Sequence, residues 1–242
     1  MGAVVTVREL GMVFDKSEPT LHDVNVEVME GEVLGLLGAN GGGKSTLLML
    51  MAGLIRPTSG SVEVDGVAAS ELALTHTGSV GLITAEAGLY PLLTGWENLH
   101  YFGGLFQLSR EEVETRTRAL LEELELTEEE LCLPSSGYSS GMRQKVSLAR
   151  ALMLNPRLLL LDEPTANLDP LATRTVHRAV RRQAKRGVAV VIVTHNLYAA
   201  EHLCDRAVIV KGTVRAEKRF EGERALPEPG QLYRLYEETL GS

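Results

Sequence analysis

The first part of the chain contains short apolar segments that predict strands. Residues 24–28 alternate as Val-Asn-Val-Glu-Val, and Val4–Val7 is a second short segment rich in valine. Side chains on a strand point alternately to its two faces, so these segments predict antiparallel strands with one buried face. Val33–Leu37 follows as a short apolar run, which is typical of a strand covered on both faces.

Later apolar runs predict further strands, which lie at residues 79–84, Leu158–Leu161, Ala189–Val193 and Ala207–Val210. An apolar helix is predicted at Ser45–Leu54, and a basic amphipathic helix at about residues 171–186, before Gly187. Ser61–Val64 and Val67 predict a hairpin around Asp65-Gly66. Strands that alternate with helices imply a parallel sheet, so the predicted class is α/β with antiparallel strands at the N-terminus.

Residues 92–155 have a helical pattern instead. Thr94 with Glu97, and Ser109 with Glu112, match the capping box that begins a helix. One helical face carries apolar side chains and a threonine, opposite glutamates that we expect to be solvated; this face consists of Val113, Thr117, Leu120, Leu121 and Leu124. We therefore predict one domain over residues 1–242, with a core at about 1–91 and 156–217, a helical subdomain at 92–155 and a short tail at 218–242.

Composition and charge narrow the function classes. The chain is 44% hydrophobic and 23% charged, as is ordinary for a globular protein. Its net charge is −8 without a basic tract, which argues against nucleic acid as the main partner. Cys132 and Cys204 have no CxxC spacing and no secretory segment precedes them, so we expect reduced, mostly buried thiols in a cytosolic protein. No apolar run is long enough to span a membrane, so a transported molecule would need a path through another polypeptide.

A phosphate-binding motif follows the strand at Val33–Leu37. Gly38-Ala-Asn-Gly-Gly-Gly-Lys-Ser45 satisfies GxxxxGK[ST] between a predicted strand and a predicted helix. Glycines let backbone NH groups point inward around phosphate oxygens, and the N-terminus of the helix adds a positive dipole end. Lys44 is expected to reach the β- and γ-phosphates, and Ser45 to bind Mg²⁺. The predicted nucleotide-binding residues of this segment are Gly38, Asn40, Gly41, Gly42, Gly43, Lys44, Ser45 and Thr46.

Two acids end the strand at Leu158–Leu161. Asp162 is expected to hold Mg²⁺ through water, and Glu163 to polarise the water that attacks the γ-phosphate. Because Glu163 is present, we predict hydrolysis of the bound nucleotide rather than binding alone. A P-loop with an acid-ending strand would also suit a kinase or a GTPase, but no guanine-reading NKxD motif is present.

The segment Tyr138–Arg150, Tyr-Ser-Ser-Gly-Met-Arg-Gln-Lys-Val-Ser-Leu-Ala-Arg, resembles the signature sequence of the ATP-binding-cassette (ABC) ATPases. The resemblance implies that Phe14 stacks on adenine and that Asn167-Leu-Asp169 is the D-loop. It implies that His195 contacts the γ-phosphate. Ser139 and Gly141, at the predicted N-terminus of a helix, would face ATP bound to the opposite subunit of a dimer.

Two departures from the family pattern matter. The signature reads Tyr-Ser-Ser-Gly-Met rather than Leu-Ser-Gly-Gly-Gln. This variant resembles ATPase subunits of the sodium- and drug-efflux type, which pair with separate permeases. The family's glutamine that touches Mg²⁺ falls at Ala85, and Glu86 follows it. The residues leave open whether Glu86 replaces that glutamine at the metal or is an exposed loop acid.

The resemblance implies an ATP- and Mg²⁺-dependent hydrolase that powers a separate membrane permease, most simply as a homodimer. The chain would lie in the cytoplasm, peripheral to the membrane. A groove near residues 86–102 would receive the permease, with Trp96 and Tyr101 either lining it or buried in the core. Two alternatives are a soluble ABC ATPase that remodels a complex and a regulatory module that binds ATP without hydrolysing it.

Overall fold

A computed structural model describes residues 2–14, 18–72, 78–84, 88–220 and 231–240. Its main sheet has six strands in the order β10-β9-β3-β8-β7-β6. These strands are β3 (Val33–Leu37), β6 (Val80–Ile83), β7 (Leu158–Asp162), β8 (Ala189–Val193), β9 (Arg206–Lys211) and β10 (Thr213–Arg219). All neighbours pair in parallel except β10, which is antiparallel to β9. The fold class predicted from the sequence is confirmed.

A second, antiparallel sheet has the order β2-β1-β4-β5. It consists of β1 (Ala3–Met12), β2 (Leu21–Met29), β4 (Ser59–Val64) and β5 (Val67–Ala68). In β2 the valines 24, 26 and 28 are buried, whereas Asn25 and Glu27 are exposed. The predicted alternation is confirmed, and the buried face shares a hydrophobic cluster with Leu34 and Leu36 of β3.

Helix α1 (Lys44–Met51) ends three residues before the predicted Leu54. Gly53 has a φ of +71°, its NH donates to the Leu50 carbonyl, and the Leu54 NH donates to the Met49 carbonyl. This pair of hydrogen bonds is the Schellman motif, in which a left-handed glycine ends a helix. Gly53 therefore sets the end of α1.

Within the described residues, four α-helices lie between β6 and β7, where the sequence predicts helices. They are α2 (Gly95–Leu105), α3 (Arg110–Leu124), α4 (Glu128–Leu131) and α5 (Ser140–Leu152). Both predicted capping boxes are present, and Thr127 with Glu130 forms a third that we did not predict. Hydrogen bonds from the caps hold the pKa values of Glu97 and Glu112 below that of an ordinary glutamate.

The face of α3 differs from the prediction at one glutamate. Leu121 is half-buried and its four predicted companions are buried, as expected. Glu123, predicted to be solvated, is only 5% exposed. Its carboxylate accepts a hydrogen bond from Gln183 Nε2 at 3.1 Å and pairs with Arg186 at 3.2 Å. Helix α6 (Pro170–Lys185), which carries Gln183, covers this side of α3.

Two helices complete the C-terminal part of the chain and were not predicted. Helix α7 (Leu197–Leu203) follows β8, and α8 (Gln231–Leu240) lies against α7. The NH of the buried Leu232 donates to Glu201 Oε1 at 2.8 Å. The tail is thereby attached to the core.

Of the two cysteines, Cys204 is buried but Cys132 is exposed, so the expectation of two buried thiols was wrong for Cys132.

The hydroxyl of Thr117 is enclosed in the apolar face of α3. Its Oγ1 is buried and has no hydrogen-bond partner within the described ranges of the chain. A buried polar group left unpaired costs about 1–3 kcal/mol. Thr117→Val replaces the hydroxyl by a methyl group of similar size, so we expect the free energy of unfolding to rise by about 1 kcal/mol. Urea unfolding followed by circular dichroism measures the change.

Thr117→Ser is the matched control, because it keeps the hydroxyl and removes the methyl group. We expect it to lower the free energy of unfolding by about 1 kcal/mol. A valine variant less stable than the wild type would contradict the assignment of an unpaired hydroxyl.

Candidate functional site

The glycine-rich turn between β3 and α1 has no room for a side chain at Gly38 or at Gly43. Gly38 has a φ of +148°, and a Cβ atom there would lie 2.2 Å from the carbonyl oxygen of Val210. At Gly43, φ is +93° and a Cβ would lie 2.4 Å from Leu21 Cδ2. Glycine alone satisfies both the conformation and the packing. At these two positions the turn therefore presents backbone without a side chain, as a phosphate cradle requires.

Lys44 begins α1 and reaches back over this turn. Its Nζ atom donates hydrogen bonds to the carbonyl oxygens of Gly38 and Ala39, both at 2.9 Å. The side chain is buried, and burial lowers the pKa of the ammonium group, an effect that the charges of Glu163 and Asp162 oppose. The lysine is thus held at the centre of the cradle, beside two acids.

Asp162 ends β7 and accepts a hydrogen bond from the Ser45 hydroxyl. Burial raises the pKa of Asp162, and the charge of Glu163 raises it further, whereas Ser45 and Lys44 lower it. A serine hydroxyl beside a carboxylate is an oxygen donor set that suits Mg²⁺, whose other ligands are usually water and phosphate. The described residues contain no group of three or more His, Cys, Asp or Glu that could hold a metal.

Glu163 adopts a left-handed backbone conformation with a φ of +50°. Its NH donates to the Val193 carbonyl at 2.9 Å, which ties this turn to the end of β8. The Oε1 atom accepts from the backbone NH of His195 at 3.0 Å and lies 2.8 Å from His195 Nδ1. The carboxylate is therefore held against the histidine.

The order of strands explains why these groups meet. Strands β3, β8 and β7 are adjacent and parallel, so their carboxyl ends lie at one edge of the sheet. The glycine-rich turn follows β3, His195 follows β8, and Asp162 and Glu163 end β7. Ligand sites of such sheets lie at this edge.

The predicted signature residues lie at the start of α5. Ser139 caps this helix, and its Oγ accepts from the Met142 NH at 3.1 Å. Gly141 is packed so closely that an added Cβ would lie 2.9 Å from that of Ala172 in α6. No hydrogen bond in the described part of the chain joins Ser139 or Gly141 to residues 38–46.

The predicted D-loop runs beside the signature residues. The Ser140 hydroxyl donates to the Asn167 carbonyl at 3.0 Å. Asp169 caps α6 by accepting from the NH groups of Leu171 and Ala172 at 2.9 Å each. Hydrogen bonds from backbone NH groups lower the pKa of Asp169, and the one from Ala172 has the largest effect. Two helix N-termini therefore lie together at one surface of the chain.

The remaining predicted residues have simpler surroundings. Phe14 follows β1 and is 44% exposed. Asn40 is exposed on the turn, and Thr46 is half-buried in the first turn of α1. Ala85 and Glu86 lie outside the described residues. Thr194, which was not among the predicted site residues, contacts Glu163. In the sequence, only its position next to His195 points to a role in the site.

Comparisons with known proteins agree with this geometry. Residues 21–166 match the family model "ABC transporter". YdbJ of Bacillus subtilis, an uncharacterised ABC transporter ATP-binding protein, is 38% identical over 85% of this chain and 66% of its own length. The Nod factor export ATP-binding protein I of Neorhizobium galegae is 35% identical over 81% of this chain and 56% of its own length. The chain thus spans less than two thirds of each of these two relatives.

A solved structure shows the same fold. It is a dimeric, post-hydrolysis state of the ATP-binding cassette MJ0796 bound to ADP and Pi. Its TM-score against this chain is 0.81, and the two sequences are 30% identical. The match covers 90% of this chain and 100% of the MJ0796 chain. The chain therefore belongs to the ABC transporter family and carries its ATPase domain.

Proposed function

We propose that the chain binds ATP with Mg²⁺ and hydrolyses it as one half of a dimer, and that this cycle powers export through a separate permease. The observation that carries the proposal is the convergence of Lys44, the Ser45–Asp162 pair and the Glu163–His195 pair at the ends of three adjacent strands.

Binding begins at the turn between β3 and α1. The NH groups of residues 38–46 surround the phosphates, and the Lys44 ammonium exchanges its two loop carbonyls for phosphate oxygens. The Ser45 hydroxyl would bind Mg²⁺ directly and the Asp162 carboxylate would hold it through water, and the ion would neutralise phosphate charge. Phe14 supplies a ring surface to the adenine base.

Hydrolysis uses the groups that end β7 and β8. Glu163 accepts a hydrogen bond from the attacking water and orients it towards the γ-phosphate. His195 lies against the same carboxylate and donates to the γ-phosphate. Positioning and fixed charges supply most of the acceleration of phosphoryl transfer.

The second subunit completes each site. The N-terminus of α5, with Ser139 and Gly141, offers NH groups, a hydroxyl and a positive dipole end, all suited to a phosphate. Asp169 lies at the neighbouring helix N-terminus. The dimeric state of the MJ0796 cassette supports this arrangement, in which two identical chains enclose two nucleotides.

Transport requires a membrane protein. Within the described ranges, no helix is both long and apolar enough to cross a membrane. The Nod factor relative is named as an export ATP-binding protein, which supports the outward direction of transport that the Ser-Ser-Gly-Met variant suggests. We place the chain at the cytoplasmic face of the membrane, with no role for nucleic acid, and we retain Glu86 as a candidate metal residue.

The surface for the permease lies on α2. Tyr101 is 46% exposed and its hydroxyl is 3.4 Å from that of Tyr90, so two aromatic side chains meet at this surface. Trp96 is half-buried and stacks on His100, which favours its role in packing.

Purification of the tagged full chain from gently solubilised membranes tests the transport role. We expect a multi-span membrane protein in roughly equal amount. The Tyr101→Lys variant should no longer co-purify with that protein and should still bind ATP, because Tyr101 is not among the residues that we propose to bind the nucleotide. Recovery of only soluble partners, with ATP hydrolysis intact, would instead indicate an ABC ATPase that remodels a complex.

A further inference from the structure

The Glu163 carboxylate is held at both of its oxygen atoms. Oε1 contacts His195, as described above. Oε2 accepts a hydrogen bond from the hydroxyl of Thr194 at 3.3 Å. The second contact fixes the rotation of the carboxylate plane, which the first contact alone leaves free.

The hydrogen bonds of Thr194 determine where its proton points. A hydroxyl has one proton to donate and two lone pairs that accept. The backbone NH of Asn196 donates to Thr194 Oγ1 at 3.1 Å and so occupies a lone pair. The single proton is thereby directed to Glu163 Oε2.

The backbone of Thr194 is also fixed. Thr194 follows β8 directly, and its NH donates to the Leu36 carbonyl of β3 at 3.3 Å. The residue is only 5% exposed, so bulk water competes little for its hydroxyl. Asn196 caps α7 through Oδ1, which accepts from the Ala199 NH at 2.9 Å. The hydroxyl is therefore attached to the sheet on one side and to a helix on the other.

We propose that Thr194 is a positioning residue for hydrolysis, acting through Glu163 Oε2 to keep the carboxylate aimed at the attacking water. The proposal rests on the proposed role of Glu163 as the group that orients this water. Because Thr194 acts through Glu163, we expect its removal to slow the chemical step and to leave ATP binding intact.

Thr194→Val removes the hydroxyl and keeps the shape of the side chain. We expect kcat to fall about 10-fold or more, because small misplacements of a catalytic group cost up to about 100-fold. We expect KM and the affinity for ATP to stay within about twofold of the wild type. Thr194→Ser keeps the hydroxyl and should restore most of the rate, a result that loss of packing alone would not give.

A double variant separates this role from a general structural one. In the Glu163→Gln background, Thr194→Val should cause no further loss in the single-turnover rate of the full chain, because the group through which it acts is already absent. A merely structural effect would lower the rate by the same factor in both backgrounds. Thr194→Ala provides the same comparison if the valine variant does not fold.

The outcomes are distinguishable. A Thr194→Val rate within about twofold of the wild type overturns the proposal, as does an additive loss in the double variant. Wild-type turnover by Glu163→Gln alone overturns the proposed role of Glu163 instead.

Discussion

Glu163→Gln should lower the rate of ATP hydrolysis by at least about 100-fold and leave ATP binding close to that of the wild type. The amide has almost the same shape as the carboxylate but cannot accept the proton of the attacking water. Lys44, Ser45 and Asp162, which we propose to bind the phosphates and Mg²⁺, are unchanged. The Glu163→Gln variant should therefore bind ATP without hydrolysing it.

Phosphate release and equilibrium binding of a fluorescent ATP analogue measure the two properties. Glu9→Gln is the matched control, because Glu9 also has a left-handed backbone, with a φ of 47°, and lies in β1 outside the site. Its turnover should equal that of the wild type. Normal turnover in Glu163→Gln would falsify the assignment.

A mixture of two inactive variants should regain activity if each site is completed by the second subunit. Lys44→Ala removes the lysine that we propose to bind phosphate, and Ser139→Asp places a negative charge where we propose that the partner's ATP lies. In a mixed dimer one site has an intact Lys44 and faces an intact Ser139. At equal concentrations about a quarter of all sites are then complete, as follows from random pairing in a twofold dimer.

The change at Ser139 is chosen to preserve the helix. Serine, aspartate and asparagine are similarly good N-caps, so α5 should begin normally in each variant. Ser139→Asn therefore serves as the neutral control and should keep far more activity than Ser139→Asp, because like charges brought together cost several kcal/mol. Phosphate release is measured for each variant alone and for the mixture. If the mixture is inactive, the signature residues and the P-loop of one chain act on the same nucleotide, which contradicts the proposal that the second subunit completes each site.

Much of this architecture can be predicted from local pattern. The turn at residues 38–45 is defined by glycine spacing, β8 is apolar throughout, and β7 is apolar up to Asp162. Strand β10 was not predicted from the sequence, because it lies at the edge of the sheet and carries charged side chains, as edge strands commonly do. An exposed, charged segment has no apolar periodicity to reveal it.

Other features depend on neighbours that are remote in sequence. Glu123 is buried because Gln183 and Arg186 cover it, and nothing near Glu123 in the sequence indicates this. The same holds for Thr194 and Glu163, which are 31 positions apart and meet only because β7 and β8 are paired. Motif spacing finds the groups that carry the chemistry, whereas the groups that hold them in place require the fold.

The hydrogen bond from Ser140 to Asn167 has a consequence for a dimer. In the proposed dimer, α5 serves the partner's nucleotide and Glu163 serves the chain's own. Asn167, which accepts the hydrogen bond from α5, lies four residues after Glu163. A shift of α5 on binding the partner's ATP would be transmitted to the segment after Glu163. The two nucleotides should then bind and react cooperatively, with a Hill coefficient above one and a reciprocal coupling, which is typically about 1–3 kcal/mol between linked sites.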